Sequence, residues 1–195
     1  MNDNRLYSGP TNWLPPIVNT NLPPLLNSSG NGVNATGEAV GSSDYWHQRY
    51  SPNYQVETLA VLWWAGDTNA ILLPMLQPIA ADVTKVPGRS EALAVSRTTG
   101  KITIVGSSWA TPTGAARAFL ADVYDTQGMP MGWRDVYASC CLLLNLNDPH
   151  LTVMPAGWTM TTAEAINDNG WIVGNGTGPG NSQGCVLVPQ TIPAQ

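Results

Sequence analysis

The chain is poor in charge and has no long apolar run. Charged residues make up 11% of its 195 residues, against roughly a quarter in an ordinary soluble domain. A formal net charge of −5 provides no cationic surface for a nucleic-acid backbone or an anionic lipid surface. No run of about eighteen apolar residues is present, which is the length that crosses a bilayer. The sequence therefore predicts no nucleic-acid partner and no membrane span.

The first residues, "MNDNRLYSGPTNW", lack the apolar core of a secretory signal peptide. Two explanations are open: the chain is not exported by that route, or the sequence is a trimmed form of a longer precursor.

Residue patterns that carry catalysis are also scarce. The chain has two histidines, His47 and His150, and no Gly-x-Ser-x-Gly turn that would expose a nucleophilic serine. No Cys-x-x-Cys pair indicates zinc, haem or a redox centre. The glycine-rich stretch from Gly174 to Gly180 has no following Lys-Ser or Lys-Thr, so it does not match a phosphate-binding loop. These features predict a protein that is not an enzyme and needs no cofactor or metal. A hydrolase is the remaining alternative, and it would require His47 or His150 to lie beside a serine and a carboxylate in a cleft.

Three cysteines are present, and Cys140 and Cys141 are adjacent. On a strand these two would point to opposite faces, so at most one of them would easily reach Cys185. A disulfide between Cys185 and either Cys140 or Cys141 is one expectation for an oxidising compartment. Buried free thiols are the other.

Glycine and proline are abundant, at 19 and 16 residues, and an internal repeat is visible. Three segments align: "GVNATGEAVGSS", "AVSRTTGKITIVGSS" and "AINDNGWIVGNG". The glycines of their Val-Gly pairs, Gly41, Gly106 and Gly174, are 65 and then 68 residues apart. Each segment is followed by one or two further short apolar stretches. The pattern predicts an all-β protein of three repeats, each of about four short antiparallel strands.

This repeat divides the chain into an arm and a body. Residues 1–29 form a Pro/Asn-rich N-terminal arm that could donate a strand. Residues 30–195 hold the three repeats, at about 30–90, 91–155 and 156–195, and the last is one strand short.

The polar segment inside each repeat predicts a hairpin turn. Asn34 with Gly37, and Asn167 with Gly170, have the spacing of a type I turn followed by a glycine in the left-handed conformation. In the middle repeat Ser96 and Gly100 are one residue farther apart, so a longer loop is expected there. Asp168 offers a carboxylate to a cation, but the other repeats have Ala35 and Arg97 in its place. It is therefore interpreted as a turn residue.

The pattern Ala-Ile-Asn-x-x-Gly-x-Ile-Val-Gly followed by Ala-Phe-Leu resembles the HAF repeats of bacterial secreted and surface proteins. The third repeat matches best, and "AFL" at Ala118 to Leu120 stands as it does in that family. The first repeat departs from the pattern, with "AVLWW" in place of "AFLW", and Cys185 lies where an Ala or Phe is usual. The resemblance covers roughly residues 30–189. It implies an extracellular or cell-surface location and a propeller-like β-structure without established activity.

Three repeats are fewer than the four to eight blades of an ordinary propeller. A homodimer with six blades would solve this, as would a place in a larger array. The alternative is a pseudo-threefold β-prism or a β-trefoil-like body.

Aromatic residues are the remaining functional signal, because Trp, Tyr and Arg are enriched in binding hot spots and long loops on a rigid scaffold often carry binding residues. They predict a ligand-binding surface on the loops after the first two Val-Gly pairs: Tyr45, Trp46, His47, Arg49, Tyr50 and Trp109. Packing inside or between sheets is expected of five other tryptophans: Trp63, Trp64, Trp133, Trp158 and Trp171.

Together these features predict a non-enzymatic extracellular β-repeat module for adhesion, surface assembly, or carbohydrate or protein binding. Its expected partners are further copies of itself and a glycan or surface protein. The alternative is a structural subunit of a fibre, filament or virion that assembles by strand exchange through its N-terminal arm.

Overall fold

Strands make up all the regular structure of the described residues, so the prediction of an all-β protein is confirmed. The structure is a computed structural model, and it describes residues 27–47, 55–65, 70–73, 76, 89–98, 101–109, 114–124 and 141–190. The strands are β1 (Ser28–Val33), β2 (Ala39–His47), β3 (Gln55–Trp63), β4 (Ala70–Leu72), β5 (Arg89–Thr98), β6 (Lys101–Trp109), β7 (Ala116–Tyr124), β8 (Cys141–Asn145), β9 (Thr159–Ile166), β10 (Ile172–Gly178) and β11 (Asn181–Leu187).

Consecutive strands pair antiparallel in three groups. Unit 1 consists of β1 to β4, unit 2 of β5 to β8, and unit 3 of β9 to β11. A single parallel bridge between Thr58 and Arg89 joins units 1 and 2 into one eight-stranded sheet. Unit 3 forms a separate sheet of three strands, and both sheets are open.

Each unit has two faces, which the Val-Gly pair distinguishes. The forward face is the side of Val40, Val105 and Val173, and the back face is the opposite side. In β6, Ile104 lies on the back face and Val105 on the forward face, because successive side chains of a strand alternate. Both are fully buried, because unit 2 is covered on its two faces.

The first core lies between the forward face of unit 1 and the back face of unit 2. Burial of these apolar side chains is the main force that holds the two units together. Its buried members are Val40, Ala60, Leu62, Ile71, Leu73, Ala92, Val95, Ile102, Ile104, Phe119, Ala121 and Val123.

The second core lies between the forward face of unit 2 and the back face of unit 3. It is smaller, and its buried members are Val105, Ala118, Leu146, Met160, Ala163 and Ile172. Asn147 adds a polar link beside it, because its side-chain amide donates to Met160 O at 2.9 Å and accepts from Met160 N at 2.6 Å. The three units therefore stack in chain order, always with the forward face of one on the back face of the next.

The structure changes two expectations about where strands begin and end. β1 begins at Ser28, so two residues assigned to the N-terminal arm already belong to unit 1. The aromatic stretch Tyr45 to His47 belongs to β2 and pairs with Gln55 to Glu57 of β3, although a loop was predicted there. Aromatic and β-branched residues suit a paired strand, which explains why β2 and β3 extend over this stretch.

Candidate functional site

A β-bulge lies opposite the Val-Gly glycine in each of the three units. The strand register shifts at Asn31 in β1, at Leu93 in β5 and at Glu164 in β9, and the residue just before each of them pairs with Gly41, Gly106 and Gly174 respectively. Each bulge residue is flanked by glycine or alanine, in "GNG", "ALA" and "AEA". These triplets are a sequence signal for the bulge that strand alternation alone does not reveal.

The glycines opposite the bulges allow a close approach of two backbones. A Cβ atom on Gly41 would lie 1.8 Å from Ser29 O, and one on Gly106 would lie 2.0 Å from Glu91 O. On Gly174 it would lie 2.0 Å from Thr162 O. No side chain fits at these positions without a shift of the neighbouring strand. The glycines therefore serve the fold of each unit.

The turns of units 1 and 3 have the same geometry. Asn34 Oδ1 accepts from the backbone N–H groups of Thr36 and Glu38, and Gly37 has a φ of 91°. In unit 3, Asn167 Oδ1 accepts from the N–H groups of Asn169 and Trp171 at 3.0 Å each, and Gly170 has a φ of 76°. The asparagines and glycines thus lie where a three-residue hairpin loop needs them.

The hairpin of unit 2 differs from its neighbours, and the prediction of a longer loop there is wrong. Ser96 pairs with Thr103 inside the ladder, and pairing continues to Thr98 and Lys101. Two residues connect the strands, and Gly100, one of them, lies outside the described residues. The strands of this hairpin are longer by two residue pairs, because the β-propensity of Ile102, Thr103 and Ile104 extends the ladder.

This longer hairpin is linked to the turns on either side of it. Arg97 Nη1 forms an ion pair with Glu38 Oε1 of unit 1. Ser96 Oγ donates to Asp168 Oδ1 of unit 3 at 2.8 Å. Asp168 is therefore a turn residue, as predicted, but its carboxylate also binds the neighbouring unit.

Glu38 is the most deeply buried charged residue of these links, with 2% of its surface exposed. Burial alone would raise the pKa of its carboxyl group, but hydrogen bonds from Thr36 and Asn34 and the charge of Arg97 outweigh burial and lower it. The folded protein therefore holds Glu38 as a carboxylate, which is stabilised mainly by contacts at the turn.

The predicted ligand-binding residues lie at the other end of the sheets, away from these turns. Tyr45, Trp46 and His47 end β2, and Trp109 ends β6, where it pairs with Arg89 and Ala116. The bridge between Thr58 and Arg89 brings the two strand ends into neighbouring positions.

Trp109 is partly buried, and the Arg89 guanidinium lies 5.1 Å from the centre of its ring. Arg89 also pairs with Glu91 at 3.2 Å. These contacts hold the Trp109 ring at this strand end, since a cation above an aromatic face is attracted to it. The two other predicted residues, Arg49 and Tyr50, lie outside the described residues.

The forward face of unit 3 is uncovered and carries a row of apolar side chains. Trp171, Val173, Val186 and Val188 are 49%, 42%, 55% and 44% exposed. The prediction that Trp171 packs inside or between sheets is therefore wrong within this chain. The corresponding valine of unit 2, Val105, is fully buried under unit 3.

The forward face of unit 3 has one charged residue, Glu164. Its Oε1 accepts from Thr162 Oγ1 at 3.0 Å and from Asn175 Nδ2 at 2.9 Å. The carboxylate is thus already hydrogen-bonded within the face.

Cys185 lies on the back face of unit 3 beside the second core. It is a free thiol whose Sγ donates to Gly174 O at 3.5 Å, and burial raises its pKa. Of the two proposed disulfide partners, Cys141 begins β8 and Cys140 lies outside the described residues.

Among the described residues, no three or more His, Cys, Asp or Glu side chains are grouped in a way that would hold a metal ion. No helix within the same ranges is long and apolar enough to cross a membrane.

Comparison with protein-family models, curated proteins and solved structures finds no match to this chain. The resemblance to the HAF repeats therefore remains a prediction from the residues quoted for it.

Proposed function

We propose that this protein is a non-enzymatic, extracellular β-repeat module of propeller-blade-like units that assembles and binds at a cell surface. The single observation that carries the proposal is the stacking of three units in one direction, which ends on an exposed apolar face. A rigid stack of this kind provides a scaffold on which strand ends and loops can present binding residues. An extended contact surface is the usual product of stacked β-repeats.

The strand ends of units 1 and 2 are the proposed ligand contact. Tyr45, Trp46 and His47 on β2 neighbour Trp109 and Arg89 through the bridge at Thr58. Flat aromatic rings favour the apolar faces of sugar rings, and Tyr and Trp combine an apolar surface with a hydrogen-bond donor. The proposed ligand is therefore a glycan or a glycosylated surface protein.

Binding to insoluble polysaccharides tests this proposal. Cellulose, chitin and xylan are incubated with the wild type, with Trp46→Ala and with the control Asn169→Ala, and the protein remaining in solution is measured. Trp46→Ala is expected to weaken binding at least about tenfold, which corresponds to about 1.4 kcal/mol. Asn169→Ala alters an exposed turn residue at the opposite end of the sheets and should leave binding unchanged. Equal losses in both variants, or no binding by the wild type, would contradict the proposal.

The alternative function, a structural subunit built by strand exchange, has one observation in its favour. β11 pairs with β10 on one edge, whereas β3 and β7, the third strands of units 1 and 2, each pair with a fourth strand. Within the described residues the other edge of β11 has no such partner, and an unpaired edge accepts an added strand. Removal of residues 1–26 should then abolish filament growth in electron micrographs, while a binding module would show no filaments with or without them.

A further inference from the structure

We propose that the forward face of unit 3 is a self-association surface and that its occupant is the same face of a second copy of this chain. The apolar row on this surface consists of Trp171, Val173, Val186 and Val188. This inference rests on the proposed function, because it names the partner for the assembly part of that function.

The forward faces of the three units are equivalent. Val40 on the forward face of unit 1 is buried against unit 2, and Val105 on the forward face of unit 2 is buried against unit 3. Val173 holds the same place in unit 3, one residue before the bulge-facing glycine, and is 42% exposed. The side of the unit that elsewhere receives another sheet is therefore uncovered here, so its natural occupant is a further β-sheet.

The exposure of each face decides which sheet of a second copy can bind. Leu59, Val61 and Trp63 lie on the back face of unit 1, which is the side that a forward face normally meets. All three are buried within the chain. A second copy therefore cannot add head to tail through this face without displacing whatever covers it. The exposed forward face of the second copy has no such cover.

The surface is small and carries one charged residue. A three-stranded face of this length measures about 14 Å by 23 Å, which is about 320 Å² for one copy and about 640 Å² for the two faces together. That area is below the usual size of a specific interface, so we expect a weak dimer with a dissociation constant in the upper micromolar range. The Glu164 carboxylate already accepts hydrogen bonds from Thr162 and Asn175, so it keeps these partners when the two faces meet.

The geometry predicts a closed pair, because each copy uses the same surface. A twofold axis satisfies both faces at once and leaves none exposed for a third copy. Head-to-tail contacts would instead produce a ring or an open filament.

Sedimentation equilibrium of the full chain over about two decades of concentration around the upper micromolar range tests this inference. The wild type should pass from monomer to dimer and stop there. Val186→Glu places a charge in the apolar row, and it should weaken association at least about tenfold. The matched control is Val153→Glu, because Val153 is 97% exposed and belongs to no strand. It should associate as the wild type does.

A folding check keeps the result interpretable. Val186→Glu alters an exposed side chain, so its circular dichroism and melting temperature should match those of the control. If it is less stable than the control, Val173→Lys on the neighbouring strand replaces it. The inference is overturned if the wild type stays monomeric or grows beyond a dimer. It is also overturned if the variant with a charge in the apolar row associates as well as the control Val153→Glu does.

The polysaccharide assay on the same proteins separates the two proposals. A monomeric wild type that still binds polysaccharide overturns the dimer and leaves the proposed binding role standing. A dimer sensitive to Val186→Glu that binds no polysaccharide supports the interface and contradicts the binding role.

Discussion

At the scale of single residues, the contact between a bulge and its facing glycine determines the shape of each unit. The carbonyl oxygens of Ser29, Glu91 and Thr162 occupy the space where a side chain would begin on Gly41, Gly106 and Gly174. Space rather than backbone conformation imposes glycine here, since these three residues have no positive φ. Gly37 and Gly170 are the opposite case, because their φ values of 91° and 76° favour glycine at the turns.

Gly106→Ala should destabilise the protein, because the added Cβ would lie 2.0 Å from Glu91 O and force β5 and β6 apart. A loss of about 1–3 kcal/mol in the free energy of unfolding is expected, the usual range for overpacking. Urea denaturation measures it. Gly184→Ala is the matched control, since its Cβ would meet its nearest neighbour, Gly174 O, at 3.9 Å. Equal stability of the two variants would show that the bulge can relax to accept a side chain.

At the scale of elements, the hairpin of unit 2 stabilises the stack at the turn end. Its two extra residue pairs carry Arg97 beside Glu38, while Ser96 reaches Asp168. The sequence predicts the turns of units 1 and 3 from their Asn and Gly spacing, because those residues act locally. The links to neighbouring turns were not predictable, because Glu38 and Asp168 lie 59 and 72 residues away from their partners.

Glu38→Gln should change how stability depends on pH. The pKa of Glu38 is lowered from its ordinary value of 4.5, so its carboxylate stabilises the fold above that pH, and this contribution is lost as pH falls through the lowered value. The wild type should therefore be more stable than the variant at neutral pH, and the difference should disappear in acid. Chemical denaturation at a series of pH values measures this.

The control for that series is Asn169→Ala, which alters an exposed turn residue that does not titrate. It should keep the pH dependence of the wild type. If the two variants give the same pH profile, the link between Glu38 and Arg97 does not carry the effect.

Because of the bulges, strict alternation along a strand does not predict which of its residues share a face. Ala92 and Val95 both face the first core although they are three residues apart, and Ala163 and Ile166 repeat this spacing in the second core. A regular strand alternates with a period of two, so a spacing of three resembles a helix instead. The all-β class was predictable from the turns and repeats, whereas the exposure of Trp171 depends on which units lie next to each other.

At the scale of the whole molecule, the three units differ in how well they are covered. Every residue of β6 from Ile102 to Ser108 is buried, whereas β10 alternates between buried and exposed residues and β11 is largely exposed. Unit 2 is thus the centre of the stack and unit 3 its open end.

Hydrogen exchange followed by mass spectrometry should reproduce this order. Peptides from β6 should exchange most slowly, because opening this strand exposes both cores, and peptides from β11 should exchange fastest. The expected difference is at least about tenfold in rate, which corresponds to about 1.4 kcal/mol in opening free energy. Uniform protection of all three units would instead indicate that the chain unfolds as one cooperative body.

The bulge also determines where a unit can change in length. Leu93 is the extra residue of its bulge, so deleting it would leave Ala92 opposite Gly106 and both faces of β5 unchanged. Deleting a regularly paired residue such as Val95 would instead reverse the orientation of every earlier residue in β5 and turn Glu91 toward the first core in place of Ala92. Lengthening a hairpin adds residues in facing pairs, as unit 2 does, and also leaves both faces unchanged. Insertions and deletions should therefore accumulate at the turns of such units and at the central residues of the "GNG", "ALA" and "AEA" triplets, and be excluded from the paired residues between them.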